Sequence, residues 1–330
     1  MFAVVVPYAP ATPTRDRTQS MSTTRHIPVM VDEVLHYLLH ERSRTIVDGT
    51  VGFGGHAEAM LRARAELSVI GVDRDPDAIA SSAARLSEFG ERVSLVQGLY
   101  SDLETVCAHI RRVDGVLLDL GVSSAQLDEP GRGFGYGVSG PLDMRMGQEG
   151  QSAAELIARS NADELAAWLR EYGEVRQARR IARGIRYAVE RNAMTSTGEL
   201  RAAVVDAVGH GVAPAELSRV FQAVRIAVNG ELAHLRRFLD GVLDHMNPGA
   251  RLVVISYHSL EDRMVKHFMR DASATCVCPP SVPVCVCGRS PRIRMLTRRA
   301  IGPRQEEVKR NPRSRSAKLR AAEKIDGNKT

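Results

Sequence analysis

The chain has 330 residues, 44% hydrophobic and 25% charged, which supplies a sizeable core and excludes a chain that is disordered throughout. No apolar run approaches the roughly 20 residues needed to cross a bilayer, so a soluble protein with no membrane partner is expected. The net charge of +6 is unevenly spread: residues 289–330 hold 14 Lys/Arg against 4 Asp/Glu, while residues 1–288 hold 31 against 35. Such a basic tail, with no apolar face in Asn311-Pro312-Arg313-Ser314-Arg315-Ser316, suits an RNA partner through counterion release, or is a solvated terminus that aids solubility.

Residues 1–21 read as a disordered N-terminal extension, because Val4-Val5-Val6 gives way to Pro, Thr and Arg without the apolar length of a secretory signal. Met21 is an alternative start. Next come four short β-branched runs at the spacing of βαβ units: Thr45–Asp48, Leu67–Asp73, Val93–Gln97 and Val113–Asp119. Helical patterns over His56–Ala65 and Asp75–Phe89 lie between them. This alternation predicts a doubly wound α/β fold whose parallel sheet binds ligands at the carboxyl ends of its strands.

The alternation then stops. A Gly/Pro-rich stretch through Pro141 leads into helical patterns at Ala153–Arg159, Ala162–Tyr172, Val175–Glu190 and Thr197–Val208, with Ser160 and Asn161 offering N-cap chemistry to the second. Phe221–His245 reads as one long helix stopped by Pro248-Gly249, and Arg251–Ser256 as a further buried strand. The expected organisation is therefore a discontinuous domain, 22–124 and 220–330 with its basic C-terminal tail, interrupted by a helical inserted domain at 125–219.

The first strand runs into Asp48-Gly49-Thr50-Val51-Gly52-Phe53-Gly54-Gly55-His56, where glycines let backbone N–H groups approach a ligand. A tight structural turn, a dinucleotide site and an S-adenosylmethionine site all tolerate such a segment. Asp73 ends the second strand eighteen residues beyond Gly55, where a carboxylate accepts from both ribose hydroxyls or caps the helix after Asp75-Pro76. Tyr100, past the third strand, is placed to cover an adenine ring. Asp119, ending the fourth, faces the middle of such a ligand, and no hydride-handling constellation accompanies it.

Several longer strings carry a resemblance. Asp119–Asp128, Arg132-Gly133-Phe134, Gly140–Met146, Ser152–Glu155, Tyr172-Gly173-Glu174, Phe221–Leu232, Ile255–Arg263 and Asn311–Ser316, in that order from about His26 to Glu323, resemble the MraW-like bacterial cytosine-N4 methyltransferases of small-subunit ribosomal RNA. The resemblance implies a Rossmann-like class I S-adenosylmethionine-dependent methyltransferase, cytoplasmic, acting on a cytidine in the decoding region of 16S rRNA or of the small subunit. It implies a cofactor site lined by Gly54, Gly55, His56, Asp73, Tyr100, Asp119 and Gln126, with the inserted domain recognising RNA. Asp119 is the first candidate for polarising the cytosine amine, and Ser123, Asp143 and His258 are further ones. Asp143 has a structural alternative in a pair with Arg145, and His258 in a strand-end contact. Phe134 and Tyr136 offer either a stacking surface for an exposed base or loop anchors.

Cys276, Cys278, Cys285 and Cys287 fall within twelve residues as two C-x-C pairs, which fits one structural zinc or four thiols without metal, and nothing suggests a catalytic metal. Other readings remain open: methylation of another nucleic acid or a small amine, or a non-catalytic ribosome assembly factor that keeps the fold. The oligomeric state is not encoded in any recognisable pattern.

Overall fold

The computed structural model describes residues 28–107, 112–209, 211–279, 284 and 286–326. The expected N-terminal extension and Cys285 lie outside the described residues. The chain divides into two compact units, residues 1–120 with 237–330 and residues 121–236.

The first unit contains α1 (Val31–Leu38), β1 (Thr45–Asp48), α2 (Gly55–Ala63), β2 (Ser68–Asp73), α3 (Pro76–Leu86), β3 (Val93–Gln97), the short α4 (Leu103–Val106) and β4 (Val113–Asp119). The second contains α5 (Ser124–Asp128), α6 (Ala153–Arg159), α7 (Ala162–Glu171), α8 (Ala178–Glu190), α9 (Thr197–Val208) and α10 (Pro214–Asn229). After α11 (Glu231–Gly241), which spans the boundary, the first unit resumes with β5 (Met246–Ser256), α12 (Ser259–Ala272), β6 (Ile293–Met295), α13 (Gln305–Arg310) and β7 (Lys318–Lys324).

The seven strands form one sheet in the order β3-β2-β1-β4-β5-β7-β6. The five strands from β3 to β5 pair in parallel, and β7 runs antiparallel to both β5 and β6. This is the Rossmann-like arrangement that the alternation of elements predicts. Strands covered on both faces read as continuous apolar runs, and β4 and the second half of β5 are buried at nearly every position. Val34 and Leu38 of α1 join Ile46, Leu117, Val253, Ile255 and Leu319 in one core. Close approach demands glycine at two strand positions: a Cβ on Gly71 would lie 2.7 Å from Leu95, and one on Gly115 2.6 Å from Ile46.

Two sequence expectations change. The single helix over Phe221–His245 is instead α10 and α11, broken at Gly230, whose φ of 61° closes α10 in the left-handed region. The basic tail, in turn, is built into the fold. Leu319 and Ala321 of β7 are fully buried, Ala322 is nearly so, and the register runs from Arg251↔Glu323 to Ser256↔Lys318. Its charges are placed at the surface or paired, as in Arg320 Nε to Asp262 Oδ1 at 2.7 Å. The apolar positions of the tail are few and flanked by Arg, Lys and Glu, which hides a strand inside a segment whose average is polar.

The second unit has its own core, made by Leu142, Met144, Ile157, Leu165, Leu169, Ile181, Ile185, Leu200, Val204, Val220 and Phe221 among others. Four of its helices start with capping boxes, Ser123 with Gln126, Ser152 with Glu155, Asn161 with Glu164 and Ser196 with Glu199, each satisfying otherwise orphaned amides. Asn161 Oδ1 accepts from the amides of Asp163 and Glu164, both at 2.9 Å.

If β7 is part of the core, truncating it costs core energy. Leu319→Ala is expected to lower unfolding free energy by about 2–5 kcal/mol, whereas Lys318→Ala at the exposed neighbouring position changes it by less than about 1 kcal/mol. Urea unfolding of both variants checks this; equal, small effects would mean that the tail is a solvated terminus.

Candidate functional site

The first unit gathers carboxylates at the carboxyl ends of three adjacent strands: Asp48 ends β1, Asp73 ends β2 and Asp119 ends β4. Parallel pairing puts strand ends side by side, so residues far apart in sequence meet here without any local signal. The turn after β1 is drawn tightly into this edge. Gly49 N–H donates to the Leu117 carbonyl at 2.9 Å, and a Cβ on Gly49 would stand 2.5 Å from the Leu118 side chain. Gly52 and Gly54 adopt φ of 52° and 76°, conformations that L side chains rarely take.

Asp73 organises that turn. Its Oδ2 accepts from Gly52 N–H and its Oδ1 from Asp75 N–H, both at 2.9 Å. The Arg74 amide also bonds to this carboxylate, and of its roughly four lone-pair sites that leaves one for a ligand hydroxyl. The capping role considered for Asp73 belongs instead to Asp75, which accepts from Asp77 N–H and is followed by Pro76 at the first position of α3. Tyr100 follows β3 and meets Phe238 edge to face, with ring centroids 5.6 Å apart. That contact fixes the ring.

Asp119 is the most constrained group. Its amide donates to Thr50 Oγ1 at 2.6 Å, Tyr257 OH donates to its Oδ1 at 2.9 Å, and His56 Nε2 stands 3.4 Å from its Oδ2. His56 occupies the first turn of α2 and is buried, and neither ring nitrogen has a hydrogen-bond partner among the described residues. The His56–Asp119 contact is therefore one of charge and field more than of an aligned hydrogen bond. Burial opposes charge on His56, but the neighbouring Asp119 and Asp48 carboxylates outweigh it and hold the imidazole above its ordinary value. Burial pushes Asp48 up to about 7, against His56 and the Thr50 amide, which favour its ionised form. The Tyr257 phenol is raised by burial and then by the charge of Asp119, so it remains a donor.

Asp48, Thr50 and Tyr257 were not singled out from sequence. Asp48 and Thr50 stand inside the glycine-rich turn, and Tyr257 immediately precedes His258, so their positions were visible; the partner that each meets was not.

The remaining candidates have structural employment. Ser123 and Gln126, in the second unit, form the capping box of α5: Gln126 N–H donates to Ser123 Oγ, and Ser123 N–H to Gln126 Oε1. Asp143 is held by Arg145 through Nε at 2.9 Å and Nη2 at 2.7 Å, and although burial opposes it, this pairing keeps its carboxyl below the usual range. His258 caps α12, accepting from Glu261 N–H at Nδ1, with Nε2 3.2 Å from Glu261 Oε1. Phe134 is buried in the second unit's core, and Tyr136 packs on Phe221 while its hydroxyl meets Ser218 Oγ at 3.1 Å. Both are anchors here. Cys276, Cys278 and Cys287 come together in the loop after α12, with their sulfurs all within 4.8 Å of one another.

The raised Asp48 carboxyl makes stability depend on pH. Its folded value of about 7 exceeds the ordinary 3.8, so the folded protein holds this proton more tightly than the unfolded chain. The contribution is complete below about pH 4 and is lost as pH rises through 7. Between those limits the wild-type chain should lose, relative to Asp48→Asn, on the order of a few kcal/mol. Denaturant titrations of the two proteins from pH 4 to 8 measure the difference, and parallel pH profiles would contradict the assignment.

Residues 23–325 match the model of the MraW methylase family. The chain is 45% identical over 316 residues to a protein of Oleidesulfovibrio alaskensis named Ribosomal RNA small subunit methyltransferase H, covering 92% of this chain and 96% of that one. Proteins of the same name from Anaeromyxobacter sp. strain K and Heliobacterium modesticaldum are 46% identical over 308 residues and 45% over 313. Each comparison covers 91% of this chain and 98% of the relative. With a family model spanning nearly all of it and relatives matched end to end, the chain belongs to the MraW methylase family.

Proposed function

We propose that this protein transfers the methyl group of S-adenosylmethionine to the exocyclic N4 of a cytidine in the decoding region of 16S rRNA, as free rRNA or within the small subunit, in the cytoplasm. The observation that carries the reading is Asp119, held by Tyr257 and Thr50 beside a buried His56 at the carboxyl end of the parallel sheet. The names of the relatives support the RNA substrate. The cofactor fits the residues present: a glycine turn that side chains would fill, an acceptor at Asp73, an aromatic ring at Tyr100 and unsatisfied nitrogens on buried His56.

In this reading Gly54, Gly55, His56, Asp73, Tyr100 and Asp119 line the cofactor site, and Gln126 joins them on the resemblance alone. S-adenosylmethionine, when bound, supplies an activated methyl on a positive sulfonium. The cytosine amine is a weak nucleophile because its lone pair is delocalised into the ring. Asp119 accepts a hydrogen bond from that N–H at a carboxylate oxygen, which orients the lone pair and stabilises the positive charge developing on nitrogen. Tyr257 occupies Oδ1, which leaves Oδ2 as the acceptor and the first stop for the proton that the methylated amine releases. Ser123, Asp143 and His258 act in positioning, through the caps and the pair described above.

The second unit is read as the RNA-recognition lobe. One face of α8 buries Ala178, Ile181, Ala182 and Ile185, while Arg179, Arg180 and Arg183 are exposed, with Arg176 just before the helix. Tyr187 follows on the same helix, 62% exposed, with the Arg191 guanidinium 5.4 Å from its ring centroid. Cations with an interleaved aromatic suit phosphates and an unstacked base.

Labelled S-adenosylmethionine and small subunits from cells lacking the gene provide the test, followed by nucleoside analysis. Label is expected in N4-methylated cytidine; label on another base, or on none, would refute the reading. Asp119→Asn should lower kcat by about 10²–10⁴, and Tyr257→Phe by a smaller factor with cofactor Kd little changed. Replacing Arg179 and Arg183 with Ala should weaken RNA binding and reduce its salt slope by about one per lost phosphate contact. An unchanged slope would remove α8 from the interface.

A further inference from the structure

The loop from Ser273 to Arg292 joins α12 to β6 and is tied at its base by Arg292 N–H to the Ala272 carbonyl at 2.8 Å. Its described residues form no helix or strand. Loops beyond about 12–15 residues without secondary structure are uncommon in compact domains, because ordering them costs entropy that something must offset. Among its described residues apolar packing does not offset it: Val277, Val284 and Val286 are 56%, 70% and 79% exposed.

What the loop does converge is sulfur. Cys276, Cys278 and Cys287 have Sγ atoms within 4.8 Å of one another, and Cys287 Sγ is 3.9 Å from Cys276 Sγ. Thiolates at about 2.3 Å from a tetrahedral zinc are separated by about 3.8 Å, so that pair already has the required edge. The Cys278 backbone N–H points at Cys276 Sγ from 3.3 Å, the kind of amide contact that stabilises a metal-bound thiolate. Two cysteines one residue apart and a third nine residues on bring ligands from both arms of the loop. A metal would therefore close the loop.

We propose that Cys276, Cys278 and Cys287 hold a structural zinc ion that staples this loop. Binding releases the thiol protons to solvent and needs no oxidant. Three thiolates leave one tetrahedral position to a further ligand, and Cys285, grouped with them in the sequence, lies outside the described residues; the methyl-transfer reading neither requires nor depends on this site. Its consequence is local order: the loop is rigid when loaded and accessible when stripped.

The full-length protein, purified without chelator under reducing conditions, is analysed for metal by mass spectrometry. About one zinc per chain is expected, released by a mercurial thiol reagent and detected with a colorimetric zinc indicator. Cys278→Ser and Cys287→Ser, each checked for folding by circular dichroism, should retain less than about a tenth of that zinc. Cys107→Ser, at a buried cysteine elsewhere, should retain all of it. Trypsin cleavage at exposed Arg289 should accelerate after chelation in the wild-type protein. Zinc below about a tenth per chain after incubation with zinc chloride, or a non-reduced intact mass showing these thiols joined as disulfides, would overturn the proposal.

Discussion

Three carboxylates sharing one poorly solvated sheet edge is the constraint on which the first unit's chemistry depends. Asp48, Asp73 and Asp119 are brought together by the pairing of β1 with β2 and β4, and the charges of Asp119 and Asp73 add to burial in raising the affinity of Asp48 for its proton. The fold meets that cost differently for each. Asp73 receives three backbone amides, Asp119 receives a phenol and faces an imidazole, and Asp48 is left to hold its proton until near neutrality. A site that concentrates negative potential in this way favours a cationic ligand, and the methyl donor of this family is a sulfonium.

The same edge explains what was legible in the sequence. β1, β2 and β4 announced themselves because strands covered on both faces must be almost wholly apolar, and Asp48, Asp73 and Asp119 punctuate their ends, while the edge strand β3 was marked by its apolar residues and spacing alone. β7 did not, since of its seven residues only Leu319, Ala321 and Ala322 are apolar, and the buried Arg320 among them and the remaining three are charged. Gly230 was an ordinary glycine in a helical pattern until its left-handed φ divided that pattern. Tyr257 stood in a string that the resemblance already contained, but its hydrogen bond to Asp119 spans 138 positions, and no spacing rule reaches that far. Asp119 and Asp73 were therefore readable as site residues, while the groups that tune them were not.

The second unit follows simpler rules. The starts of α6, α7 and α9 are marked by Ser or Asn followed three residues on by Glu, a pattern that local sequence states directly. Candidates taken from this region also have partners within it: Ser123 and Gln126 cap, Asp143 pairs, and Phe134 packs in the core. Polar residues near a presumed site are often there to shape the backbone, and the hydrogen-bond partner is what tells the two roles apart.

The order of strands in space differs from their order in time. β5 is synthesised long before β7, and the hydrogen bond between Ser256 and Lys318 joins residues 62 apart. At about 5–20 residues per second a ribosome needs roughly 3–12 s to cover that distance. During that interval β5 is a bare edge of an otherwise assembled parallel sheet, the kind of surface that recruits strands from other nascent chains. Aggregation during synthesis is thus governed by the interval before β7 arrives, and translation speed across residues 257–324 becomes a determinant of yield.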